Sequence, residues 1–180
     1  MTTGSADRGL IIVYTGNGKG KTTAALGLAF RAVGRGLRVF MVQFIKGARV
    51  SAEVQTAKRL APDLEIVPMG RGFVRTAEAK KHEKHLAAVR RAWEMGVQKS
   101  TSGEFDMVIF DEINYAMAYG MLDLGEVLTF LRQKPERLHV VLTGRDAAPE
   151  LVEVADLVTE MREIKHPYQK GIPARAAIDF

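Results

Sequence analysis

Apolar residues along the chain fall into short unbroken runs, separated by longer stretches in which they recur every three or four positions. Residues 10–15 (LIIVYT), 38–44 (RVFMVQF), 64–68 (LEIVP), 105–112 (FDMVIFDE) and 138–144 (LHVVLTG) are built on runs of the first kind, and the more polar 156–164 (DLVTEMREI) is read as a sixth strand. Runs of four to eight apolar residues with little alternation are the mark of strands buried on both faces. Between them, Ala25, Leu28, Ala29 and Ala32 share one helical face in the segment from Lys21 to about Gly34. Thr76 is placed to cap a long helix, with Glu78 near its positive end and Leu86, Val89, Trp93 and Val97 along one stripe. Asp123 and Glu126 open another helix, which carries Leu124, Val127, Leu128 and Leu131, and a last one covers roughly 148–155.

Strands alternating with helices predict a mostly parallel sheet covered on both faces, a three-layer α/β/α sandwich with about six strands. Ligands in such folds gather at the carboxyl ends of the strands. That edge collects residues 15–22 and the strings "IKGAR", "GRGFVR", "DEINYAM" and "TGRD".

Composition narrows the picture. With 180 residues, 47% of them apolar, the chain can build one good core, and no repeat or Gly/Ser-rich linker divides it, so a single domain over 1–180 is expected. The polar opening "MTTGSADRG" is expected to be flexible over 1–9 and lacks the apolar core of a signal peptide, and no run is long enough to span a membrane. The absence of cysteine excludes disulfides and thiolate chemistry and fits a reducing cytoplasm. A formal charge of +5 suits a polyanionic ligand. The charge is scattered, and its densest run, "KKHEKH", contains a glutamate, which favours a solvated helix face and a nucleotide over a nucleic-acid surface.

The chemistry starts at "YTGNGKGKTT", residues 14–23. A glycine-rich turn between a strand and a helix presents backbone N–H groups and a helix N-terminus to one anion. Gly16, Gly18 and Gly20 let the backbone curl, Lys21 reaches phosphate oxygens, and the Thr22 hydroxyl suits Mg²⁺. The Walker A pattern opens on glycine; here Thr15 occupies that place. "MVIFDE" supplies the acidic counterpart, an apolar strand ending in Asp111 and Glu112, where carboxylates hold a metal directly or through water. "HEKH" (82–85) places its second histidine one residue too early for the zinc-protease pair, so a zinc site is rejected. Trp93 lies on the apolar stripe of its helix and reads as core. These residues define a P-loop nucleotide-binding α/β domain and leave open a hydrolase, a kinase or a nucleotide-gated switch or binding module.

Longer strings go further. "GNGKGKTTAALG", "VQFIKG", "FDMVIFDEINYA", "LTGR", "ADLVTEM" and "KHPYQKGIPARAAIDF" together resemble the P-loop ATP:corrinoid adenosyltransferases, from about Leu10 to Phe180. The resemblance implies a RecA-like P-loop fold and transfer of the 5′-deoxyadenosyl group of ATP to the Co(I) of a corrinoid, with release of triphosphate. It implies ATP bound by Thr15, Gly16, Asn17, Gly18, Lys19, Gly20, Lys21, Thr22 and Thr23, with Lys46 and Arg145 as further contacts. Lys19 and Lys21 would spread charge over the leaving triphosphate. Thr22 and Glu112 would hold Mg²⁺ or Mn²⁺, with Asp111 behind them or acting through water.

On the corrinoid side it implies Phe73, where the family carries a glycine-phenylalanine-x-tryptophan run; Arg75 stands in place of the tryptophan. Tyr115 and Tyr119 are candidates to supply the missing aromatic surface, and Tyr168, Lys170 and Arg175 of the tail are candidates to help close the site. A homodimer, a reducing flavoprotein such as flavodoxin, and a cytoplasmic setting without nucleic-acid or membrane partners complete what the resemblance implies.

Overall fold

The computed structural model describes residues 8–47, 51–72 and 83–179. The strands are β1 (Ile11–Thr15), β2 (Val39–Gln43), β3 (Leu64–Pro68), β4 (Met107–Asp111), β5 (His139–Thr143) and β6 (Leu157–Glu160). The helices are α1 (Lys21–Val33), α2 (Ala52–Leu60), α3 (Glu83–Thr101), α4 (Ile113–Ala118), α5 (Leu124–Gln133) and α6 (Pro149–Val154), followed by a 3₁₀ turn, Pro167–Lys170. All six strands run parallel in one sheet, in the order β3-β2-β4-β5-β1-β6. The glycine loop therefore follows β1 and the acidic pair straddles the end of β4, with β5 between the two strands.

The two faces of the sheet carry two separate apolar clusters. On one, Ile12, Val39, Met41, Ile109 and Val141 pack under the alanine stripe of α1 (Ala25, Ala29, Ala32) and Ala57 of α2. The small alanines let α1 lie close to the sheet, bringing its N-terminus to the strand ends. On the other face, Val13, Phe40, Val42, Phe110 and Leu142 meet Val89 and Trp93 of α3, Val127 and Leu131 of α5, and Leu151 of α6. Alternate residues of one strand thus serve opposite layers, which is why the runs read as continuous rather than alternating.

Trp93 belongs to this core, 2% exposed, with its ring centroid 5.5 Å from Phe110 and 5.4 Å from Phe130. Its indole N–H donates to Glu126 Oε1 at 2.7 Å, so its polar edge is satisfied at the rim of the core. The expected cap of α5 is present: Glu126 N–H donates to Asp123 Oδ1 at 3.2 Å.

Several elements differ from the sequence expectation. Helix α2 has no forecast counterpart, because its apolar face amounts to Val54, Ala57 and Leu60 among charged neighbours. Residues 113–118 turn into a short helix directly after the acidic pair. Strand β6 stops at Glu160, well short of residue 164, where the chain leaves the sheet edge. Ahead of β1, Arg8 pairs with Asp156, and Gly9 N–H donates to Glu136 O at 2.8 Å. The Thr76 cap, with Glu78, lies outside the described residues.

Candidate functional site

Gly16 and Gly20 adopt positive φ, 93° and 116°, which swings the chain from β1 into α1. Gly16 and Gly18 are also held to glycine by a neighbour. A Cβ would come within 2.5 Å of Met161 O at Gly16 and within 2.7 Å of it at Gly18. Gly18 N–H donates to that same oxygen at 2.6 Å, so one loop amide is committed to the start of the C-terminal tail. Gly20 is the N-cap of α1, and no side chain caps the helix. The positive end of α1 is thereby left for an anion.

Lys21 is only 7% exposed, and its ammonium donates to the carbonyls of Gly16 at 2.8 Å and Gly18 at 2.9 Å. Burial holds its pKa below the usual lysine value, while Glu112 opposes that shift. Thr15, in the place of the Walker A glycine, uses its hydroxyl to accept from Ala147 N–H at 3.2 Å. It fastens the end of β1 to the loop that carries Arg145. Lys19 reaches over to Asp179 of the tail at 2.8 Å.

The acidic pair divides into an inner and an outer member. Asp111 is fully buried, and its Oδ1 accepts from the hydroxyls of Thr22 and Thr143, each at 2.8 Å. Its Oδ2 accepts from Gln43 Nε2 at 3.2 Å. Burial pushes the carboxyl pKa up, and the hydrogen bonds from Thr22 and Thr143 pull against it. Glu112 sits in the left-handed region at φ 64°, and its N–H donates to Thr143 Oγ1 at 2.9 Å. That turn throws its side chain away from the core and onto the wall of a cavity. Burial first, and the Asp111 carboxylate second, raise its pKa, with Lys21 opposing.

The cavity, of about 790 Å³, lies between the glycine loop and the tail. Asn17, Gly18, Lys19, Lys21, Glu112 and Arg145 line it, as do Tyr115 and Tyr119. The two tyrosine rings stack with centroids 4.3 Å apart, making one aromatic wall. The structure thus brings together the phosphate-side and aromatic residues singled out in the sequence. Thr23 is exposed on the first turn of α1, and Lys46 is ion-paired with Glu53 of α2. Phe73 and Arg75 lie outside the described residues.

Two groups of residues escaped the sequence reading. His166, Gln169 and Asp179 line the cavity from the tail, beside the expected Tyr168. Gln43 and Thr143 join Asp111 in a buried polar row at the ends of β2, β5 and β4. A signal for the row existed: each is the polar last residue of an apolar strand, the same pattern that singles out Asp111.

A metal ion fits this donor set. Among the described residues no cluster of three His, Cys, Asp or Glu forms a complete protein cage. Thr22 sends its hydroxyl hydrogen to Asp111, which leaves oxygen lone pairs for a cation, and Glu112 adds a carboxylate whose proton affinity is already raised. One hydroxyl plus one carboxylate suits Mg²⁺, which completes its octahedron with water and substrate phosphates.

A parallel sheet, a glycine loop opening a helix, a buried lysine and an acidic pair one strand away define a P-loop nucleotide-binding protein. Among solved structures, the flagellar accessory protein FlaH from Methanocaldococcus jannaschii shares this fold. Its TM-score is 0.55 at 16% identity, covering 86% of this chain and 71% of that one. The sequence itself matches the family described as ATP:corrinoid adenosyltransferase BtuR/CobO/CobP over residues 7–180. A corrinoid adenosyltransferase from Sinorhizobium sp. is 43% identical over 182 aligned residues, covering 100% of this chain and 84% of that protein. Those of Pseudomonas aeruginosa and Escherichia coli K12 are 38% and 40% identical, covering 97% of this chain and 85% and 87% of theirs. The chain belongs to the ATP:corrinoid adenosyltransferase family, and is a transferase.

Proposed function

We propose that the chain works as one nucleotide-binding domain that transfers the 5′-deoxyadenosyl group of ATP to the Co(I) of a corrinoid, releasing triphosphate. The observation that carries this reading is the shared cavity. Groups suited to a triphosphate (Lys19, Lys21, Arg145) and a stacked aromatic wall (Tyr115, Tyr119) face the same space.

In the proposed reaction the cobalt lone pair attacks the ribose C5′ of ATP. A Co–C bond forms, the C5′–O bond breaks, and its electron pair leaves on the triphosphate. Negative charge builds on the α-phosphate oxygen, and the chain's task is to receive it. Lys21 is already desolvated and aimed into the loop, so it exchanges two carbonyl partners for phosphate oxygens without being drawn from bulk water. Lys19 and the N-terminus of α1 spread the remaining charge. ATP lies with its γ end where a kinase would hold the α end. Thr22 and Glu112 would hold a divalent ion, Mg²⁺ or Mn²⁺, with Asp111 orienting Thr22. When bound, the ion would supply positive charge to the leaving triphosphate. The nucleophile carries its own electron pair, so no general base is required, and in-line placement supplies the other large contribution.

The corrinoid sits against Tyr115 and Tyr119, which supply aromatic surface where Arg75 replaces the family's tryptophan, and Phe73 is assigned to help exclude the axial ligand that makes Co(II) hard to reduce. A reducing flavoprotein such as flavodoxin supplies the electron. A cytoplasmic setting is part of the same reading, and a chain without cysteine fits a reducing compartment. A homodimer is supported by β6, an edge strand exposed along its whole length, with Leu157 and Val158 at 42% and 38%.

The test supplies chemically reduced cobalamin and Mg·ATP and follows the corrinoid spectrum. Formation of a light-sensitive alkylcobalamin is expected. Phosphate release from ATP with an unchanged corrinoid spectrum would instead favour the ATPase or kinase reading.

A further inference from the structure

Three strands deliver a polar residue to one buried row. Gln43 ends β2 and is the register partner of Asp111 at the end of β4, and Thr143 ends β5 alongside. All three are 0% exposed. The Gln43 amide nitrogen donates to Asp111 Oδ2 and to Glu53 Oε1, each at 3.2 Å. Glu53 in turn pairs with Lys46 in the loop after β2.

The amide orientation is fixed by chemistry. Turned over, it would set a carbonyl oxygen against two carboxylates, whereas the observed orientation gives each acid one N–H. Its own oxygen has no partner among the described residues, a cost that the two charge-assisted bonds offset. Asp111 is consequently held on both oxygens, by Thr22 and Thr143 on one and by Gln43 on the other. Released by Gln43, the carboxylate can rotate about its bond to Cβ, and the Thr22 hydroxyl loses its fixed acceptor.

We propose that Gln43 is a positioning residue for nucleotide-bound metal: through Asp111 it fixes the Thr22 hydroxyl, and through Glu53 it ties that hydroxyl to Lys46 and the loop after β2. The chain Lys46–Glu53–Gln43–Asp111–Thr22 runs from the loop after β2, through α2 and across two strand ends, to the first turn of α1. It couples the segment after β2 to the phosphate loop through side chains alone. This rests on the reading of Thr22 as a metal ligand, and the experiment separates the two claims.

Binding of Mn²⁺ in the presence of ATP is measured by the loss of the free-ion EPR signal, in the full-length protein. The variants are Gln43→Leu, Glu53→Ala, Thr22→Ala and the Gln43→Leu/Thr22→Ala double. Supporting partners of metal ligands typically contribute about 10- to 100-fold in affinity, and a loss of that size is expected for Gln43→Leu. Glu53→Ala is expected to weaken binding in the same direction. The double variant should bind no worse than the weaker single one, because both changes act on one ligand. The KM for the corrinoid should be unchanged in Gln43→Leu.

Wild-type Mn²⁺ affinity in Gln43→Leu, or losses that add in the double variant, overturns the positioning role while leaving Thr22 in place. Unchanged affinity in Thr22→Ala overturns the metal reading and this proposal with it. If Gln43→Leu does not fold, Glu53→Ala on the half-buried helix decides the question by the same affinity. A purely structural role would lower the melting temperature without altering the metal requirement.

Discussion

Lys21 shows how much a single residue contributes at this site. It is buried, its pKa is depressed by burial, and its ammonium donates to two loop carbonyls. Replacement by methionine keeps the aliphatic stem and removes the charge. A charge-assisted hydrogen bond contributes about 1.5–3 kcal/mol, so Lys21→Met should weaken ATP binding by roughly 10- to 100-fold, measured by calorimetry. Unchanged affinity would remove Lys21 from the phosphate site. The role of Lys21 was legible because the strand–loop–helix context leaves few alternatives for a lysine at that spacing. The side-chain bond of Thr15 to Ala147 N–H was not, since it depends on how the loop after β5 passes the end of β1. Gln43 was hidden for a related reason: its partners come from α2 and β4, ten and sixty-eight positions away.

The packing of α3 on β4 leaves no room for growth. A Cβ on Gly96 would lie 2.3 Å from Phe110 Cε1, against a ring that is 0% exposed. Gly96→Ala should therefore destabilise the fold by about 1–3 kcal/mol despite the better helix propensity of alanine, seen as a lower urea midpoint. A neutral or stabilising effect would mean that Phe110 can move. The approach of β1 to β5 carries a pH dependence. Leu10 N–H donates to His139 Nδ1 at 3.1 Å, and burial, with Lys134 nearby, holds His139 below its ordinary 6.5. A depressed folded pKa means that the neutral ring contributes stability that is complete above about pH 6.5. That contribution falls away as pH drops through the lower folded value. The urea midpoint should decline below pH 6.5, and a His139→Gln variant should lose that part of the decline. At the scale of elements, long periodic helices and apolar strands were readable from the sequence. Helix α2 was not, because its small apolar face is outweighed by its charges. Strand β6 was overextended, because nothing in "EMREI" marks where the chain leaves the sheet.

For the whole molecule, the alternation of strands and helices was enough to give a parallel three-layer sheet and to place the loops of the site along one edge. The order β3-β2-β4-β5-β1-β6 was beyond the sequence, since periodicity says which segments are strands but not which are neighbours. That order decides the chemistry of the site. With β5 between β1 and β4, Thr143 bridges Asp111 and the Glu112 backbone, turning the inner acid toward Thr22 and the outer acid toward the cavity. The central claim is that this frame holds a triphosphate that leaves whole. It is tested most directly by phosphorus NMR of the products after turnover with ATP, Mg²⁺ and a Co(I) corrinoid. Intact triphosphate in one-to-one ratio with the adenosylated corrinoid is the predicted result; ADP and orthophosphate, with the corrinoid unmodified, would contradict it.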